Sequence, residues 1–148
     1  FVMRPIYETE KDRKMEQAII NELSDAWKIF YQKLPIKHRL DFALLDDKRV
    51  VIAWAEVKRR DNDSTTYDTY MLSLDKYMSG MKLFKLTGLP FYLVVKFSDG
   101  LYYCEVSLLS YAQLTISFGG RTDRADAQDV EPCIYFDSNL FKKVISKE

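Results

Sequence analysis

The sequence has little of what several familiar chemistries require. It carries two cysteines, Cys104 and Cys133, too few in 148 residues for a disulfide scaffold, and no C-x-x-C spacing points to zinc. A single histidine, His38, excludes a His-rich metal centre. No Ser-His-Asp or Cys-His arrangement is apparent, and no glycine-rich run could cradle a phosphate. Five glycines and four prolines exclude collagen and flexible-linker chains. No apolar run approaches the ~18–20 residues of a membrane span, so no membrane is expected. No signal peptide is visible; a few residues are expected to precede Phe1, and a reducing cytoplasm is the expected compartment. Neither sign of charge dominates: 22 Lys and Arg balance 22 Asp and Glu, which excludes a histone-like polycation and an acidic tail protein.

What is present is apolar and aromatic. Hydrophobic residues make up 47% and aromatics 14%, enough for a packed core with β-structure in it. The length suits one domain over residues 1–148, with a core over about 8–106 and a C-terminal extension over 107–148. Residues 9–30 read as an amphipathic helix opened by a Thr9/Asp12 capping box, with Glu16, Ile20, Leu23 and Trp27 on one stripe. Ile29 to Leu34 either extends it or starts a strand before Pro35. Arg39 to Leu45 alternates, Asp46-Asp47-Lys48 is a polar turn, and Val50 to Val57 is an apolar β-branched run: a hairpin with a central second strand.

Lys58 to Thr66 is loop-like, and Tyr67 to Leu86 is expected as a second helix with Tyr70, Leu74, Tyr77, Met81 and Phe84 on its stripe, stopped by Gly88 and Pro90. Strands follow at Phe91 to Phe97 and Leu101 to Val106 around Asp99-Gly100. Beyond them a short helix is expected over Leu108 to Leu114, a polar loop over Gly119 to Glu131, a short strand over Ile134 to Phe136, and a last helical turn from Ser138 through Val144. The fold class is mixed α/β, a sheet flanked by helices.

The chemistry concentrates at Glu56-Val57-Lys58. Residues two apart in a strand share a face, so a carboxylate and an ammonium stand together where an apolar strand ends, and burying either alone would cost several kcal/mol. The hairpin brings Asp41 beside Glu56, where cross-strand Cβ atoms approach to about 5 Å. Two carboxylates that close repel unless protonated or bridged, and a hard cation with oxygen ligands, Mg2+ or Mn2+, relieves the repulsion. On this reading Asp41, Glu56 and the Val57 carbonyl hold the cation, Lys58 positions the attacking water, and Glu16 supports the cluster from the first helix. Glu10 and Glu22 are rivals for that helical position.

The runs Leu40-Asp41-Phe42-Ala43-Leu44 and Ala53-Trp54-Ala55-Glu56-Val57-Lys58 resemble the PD-(D/E)XK nuclease superfamily, over about residues 8–106. Leu40 departs from the signature, standing where a proline would precede the aspartate. The resemblance implies a restriction-endonuclease-like α-β-β-β-α-β core with a mixed central sheet flanked by helices. It implies Mg2+-dependent hydrolysis of DNA phosphodiesters, and it places Ser73 and Lys76 of the second helix beside the site. Resolvase-like relatives act as dimers, so a homodimer is the assembly it suggests. The alternative is an inactive nucleic-acid-binding or interaction module on the same fold.

Charge is unevenly spread. Lys28 to Arg60 holds nine Lys or Arg against four acids, and Lys76 to Lys96 holds four lysines and no acid. Lys37, Arg39, Arg59, Arg60 and Lys76 are therefore the candidate phosphate contacts. Tyr67 could stack on a base; Tyr70 is expected in the core, and His38 on a partly exposed strand.

Overall fold

The structure, a computed structural model, describes residues 10–35, 37, 39–120 and 130–147. Along the chain run α1 (Glu10–Trp27), β1 (Phe30–Lys33), β2 (Phe42–Leu45), β3 (Val51–Arg59), β4 (Thr69–Ser73), α2 (Leu74–Thr87), β5 (Phe91–Phe97), β6 (Gly100–Glu105), β7 (Thr115–Gly120), β8 (Val130–Asp137) and β9 (Lys142–Lys143). Six strands form one sheet in the order β1-β2-β3-β5-β6-β9. Only its β3–β5 pair is parallel, so the sheet is mixed, as expected. A second, antiparallel sheet has the order β4-β8-β7.

Each face of the main sheet has its own core. On one, Ile19, Ile20 and Leu23 of α1 pack on Phe42, Leu44, Ala53, Ala55, Val57 and Val94. On the other, Leu93, Val95 and Phe97 meet Tyr77 of α2 and the second sheet's Tyr70, Leu72, Ile134 and Phe136. Strand alternation assigns the sides: Ala53, Ala55 and Val57 look toward α1, whereas Trp54 and Glu56 look toward α2. With both faces covered, β2 is buried at every position, which is why its hydrophobicity is continuous.

Several expectations are corrected. The segment before Pro35 is strand β1, paired with β2. The strand expected from Arg39 begins only at Phe42. Arg39 adopts a left-handed φ of 66°, and the turn sends Leu40 into the α2-side core while Phe42 and Leu44 enter the other. The helix expected from Tyr67 starts at Leu74, because Thr69–Ser73 ladders with β8, pairing Tyr70 with Phe136 and Leu72 with Ile134.

The helix expected over Leu108 to Leu114 is two separate 3-10 turns, Val106–Leu108 and Tyr111–Gln113. Strands β7 and β8 enter the expected loop from both ends, and residues 121–129 lie outside the described residues, as do Thr9 and His38. The last turn is Ser138–Leu140, capped by the Asp137 side chain on the Asn139 N–H and followed by β9. Among the described residues no helix is long and apolar enough to cross a membrane. Both cysteines are buried thiols.

Gly80 sets the depth at which α2 lies on β5. A Cβ there would come within 2.2 Å of the Phe91 ring, which is fully buried and cannot yield. Alanine normally favours a helix over glycine by about 1 kcal/mol. Here the overlap wins: Gly80→Ala is expected to destabilise the fold by about 1–3 kcal/mol in chemical denaturation, and a stabilised variant would refute this packing.

Candidate active site

The site forms where the β2–β3 ladder ends. Pairing stops at Phe42 with Ala55, and continuing that register sets Asp41 across from Glu56. Beyond the last pair the Val57 N–H donates to Asp41 Oδ2 at 2.8 Å. The Asp41 carboxylate thus stands in for a strand, in the plane of the sheet, and groups from both faces reach it.

From the α2 side comes Glu56, 1% exposed. Two ammonium groups serve it: Lys76 Nζ lies 3.3 Å from Oε1 and Lys58 Nζ 3.7 Å from Oε2. Lys76 also donates to the Arg39 carbonyl at 2.5 Å, tying α2 to the left-handed turn before Asp41. Among the described residues Oε1 makes no directional hydrogen bond, and Lys76 serves it as a neighbouring charge. From the α1 side comes Lys33, the last residue of β1. Its Nζ lies 3.2 Å from Glu16 Oε2, 3.7 Å from Asp41 Oδ1 and 5.0 Å from the centre of the Phe42 ring. Glu16 therefore joins the cluster through an ammonium. Its rivals stay outside: Glu10 is exposed, and Glu22 pairs with Lys96 at 2.8 Å.

The candidate phosphate contacts separate. Lys76 is inside the cluster. Ser73 ends β4 just before α2, its Oγ buried and without a hydrogen bond among the described residues. Arg39 is drawn to Asp75 at 2.7 Å. Arg60 lies over the Tyr70 ring at 5.1 Å, on the Glu56 side, and Tyr70 is in the core as expected. Arg59 falls on the opposite face, beside Met15 of α1 and 3.4 Å from Asp61, because strand alternation separates it from Lys58. Lys37 is exposed. Lys33 escaped the sequence reading: its signal, a lysine eight residues before Asp41, acquires meaning only once Lys33 is known to pair with Phe42.

Burial, reinforced by the neighbouring Asp41 charge, pushes the Glu56 carboxyl up to about 7 against the pull of Lys76 and Lys58. Asp41 and Glu56 supply hard oxygen donors of the kind Mg2+ and Mn2+ prefer, and the buried Oε1, with no directional hydrogen bond among the described residues, fits such a role. No group of three or more His, Cys, Asp or Glu able to hold a metal occurs among the described residues. A cation here would rest on this pair and on backbone oxygen.

A mixed sheet with helices on its faces, carrying Asp and Glu-x-Lys at the end of a central hairpin, defines a restriction-endonuclease-like fold. Residues 2–144 match the family described as "Phage putative PDDEXK endonuclease". The chain belongs to that PD-(D/E)XK endonuclease family. Among solved structures it is similar to Hjc, a Holliday junction resolvase from the archaeal hyperthermophile Archaeoglobus fulgidus. The TM-score is 0.58 over 91% of this chain and 93% of that one, at 16% identity, a likeness of fold. No curated protein matches the chain.

The Glu56 shift has a measurable sign. The folded protein keeps this proton up to about pH 7, whereas the unfolded chain releases it near 4.5. Its contribution to stability is therefore full below pH 4.5 and is lost as pH rises through 7. In chelator-treated protein, the stability difference between wild type and Glu56→Gln is expected to move by about 3 kcal/mol against wild type across that window. Denaturant titrations at pH 4.5 and 7.5 check it; parallel curves would contradict a buried, proton-holding Glu56.

Proposed function

We propose that the chain is a Mg2+-dependent deoxyribonuclease (Mn2+ serving equally) that hydrolyses DNA phosphodiester bonds. Family membership supports the reaction class. The observation that carries the assignment to residues is the buried Glu56 carboxylate, facing Asp41 across the end of the hairpin with Lys58 at its other oxygen.

Asp41, Glu56 and the Val57 carbonyl would hold the divalent ion, whose chemistry is Lewis-acid stabilisation of charge on the phosphoryl group. The carbonyl qualifies because N–H and C=O of one strand residue emerge on the same edge, and the Val57 N–H already points at Asp41. Lys58, 40% exposed, is free to turn from Glu56 toward solvent. There it orients the attacking water and donates to the phosphoryl oxygens as negative charge builds on them. Lys76 and the Asp41–Val57 hydrogen bond keep the two carboxylates in register. Glu16 acts at one remove, through Lys33. Lys76, in the first turn of α2 after the buried Ser73 hydroxyl, would face the flanking phosphates of DNA, with Arg60 beyond it.

The test is cleavage of linear, nicked and branched DNA by the purified chain under Mg2+ or Mn2+, branched DNA being included because the fold is similar to that of a junction resolvase. Asp41→Ala and Lys58→Ala should each lower the rate by at least about 10²–10³-fold, as loss of a preorganised transition-state contact does, while the circular dichroism spectrum is kept. Wild-type rates in either variant would overturn the assignment. DNA binding by wild type with no cleavage under either ion would leave a binding module. A homodimer, if it forms, would show in sedimentation of the same preparation.

A further inference from the structure

Acids and lysines at this site are matched before any cation arrives. Glu16 and Asp41 meet Lys33, and Glu56 meets Lys58 and Lys76, so three carboxylates face three ammonium groups among the described residues. The three lysines are not equivalent. Lys76 is moored to a backbone carbonyl as well as to Glu56. Lys58 serves the buried carboxylate from within the same strand segment. Lys33 joins two separate elements, α1 and the start of β2, by binding a carboxylate of each. One of those, Asp41, presents Oδ1 to Lys33 while Oδ2 is fixed by the Val57 N–H.

An ammonium 3.7 Å from Asp41 Oδ1 reaches that carboxylate from the α1 face, opposite Glu56, close enough for its charge to act on a cation held between the two carboxylates. Like charges so close repel, and the repulsion enters the binding constant of any ion that uses Asp41. Lys33, like Lys58, is exposed enough to exchange its carboxylates for another anion. Its side chain is 41% exposed, its ammonium stands 5.0 Å from the centre of the Phe42 ring, and partly exposed ion pairs cost little to exchange for solvent.

We infer that Lys33 is a built-in counter-ion: it bridges Glu16 to Asp41 in the metal-free protein, opposes cation uptake, and is released toward the DNA phosphate when the cation enters. This rests on the reading of Asp41 and Glu56 as the cation site. Lys33 acts as a positioning residue that couples Glu16 to the ligand Asp41. A divalent ion meets carboxylates already neutralised and is held weakly alone; an arriving phosphate takes the displaced ammonium and strengthens the whole. The free protein thereby keeps little metal until DNA is present.

The inference is tested on the full chain, stripped with chelator and titrated with Mn2+ alone, free ion being read by electron paramagnetic resonance. Lys33→Met keeps the apolar stem and removes the charge, and Lys33→Gln repeats the test with a polar end. Both are expected to bind Mn2+ about five- to tenfold more tightly than wild type, and Lys33→Arg to restore weak binding. A merely structural lysine would give weaker binding on removal. A second readout is the tightening of Mn2+ binding by an uncleaved single-stranded oligonucleotide, expected to shrink in Lys33→Met. Unchanged or weaker Mn2+ binding in both neutral variants, with Asp41→Asn still abolishing it, overturns the counter-ion and leaves the cation site standing. Absence of Mn2+ binding in wild type and variants alike overturns both.

Discussion

A carboxylate closed off from water at the end of a central strand is the constraint around which the molecule is arranged. Glu56 cannot be solvated, so its charge must be held by neighbours or given up to a proton. The fold supplies three kinds of neighbour. Asp41 repels it and pushes its proton affinity up; Lys58 and Lys76 draw that affinity down; the surrounding apolar core fixes it in place. A residue so placed is costly in a purely structural role and useful wherever a hard cation has to be gripped.

The sheet makes the arrangement possible because two strands stop short at one place while a third continues. β1 ends at Lys33, β2 begins at Phe42, and β3 runs on past both to Arg59. The overhang exposes one edge of β3, where the Asp41 carboxylate rather than a strand takes up the Val57 N–H. Lying in the plane of the sheet, that carboxylate is open to Lys33 from the α1 face and to Glu56 from the α2 face. One aspartate thereby joins two sides that the main sheet otherwise keeps apart. The left-handed turn at Arg39, whose carbonyl Lys76 grips, is the backbone device that delivers Asp41 to this position.

How much of this was legible depends on whether the signal was local. The hairpin of β2 and β3, the apolar strand β5, the Gly88 stop and the Asp99-Gly100 turn all carry their determinants within a few residues, and each was readable. So was the facing of Glu56 and Lys58, which period two imposes on any strand. Tyr70 shows where local reading fails: its spacing to Leu74 and Tyr77 fits a helical stripe, yet it lies on a strand, because Phe136 of β8 arrives from sixty-six residues away to pair with it. Charge and sequence group Arg59 with Arg60, yet Arg59, the last residue of β3, turns to Met15 on the α1 side while Arg60 lies over Tyr70 on the other. Lys33 could be weighed only with the register of β1 in hand.

The sequence by itself determined the class of fold, the shared face of Glu56 and Lys58 and the hairpin that brings Asp41 beside them, because alternation, turn chemistry and apolar runs are short-range properties that the chain carries wherever it goes. Tertiary structure alone decided the company those side chains keep. Lys33 from β1, Lys76 from α2 and Glu16 from α1 come together through pairings and packings between distant segments. Only those determine which ammonium faces which carboxylate, and how strongly burial acts on the charge of Glu56.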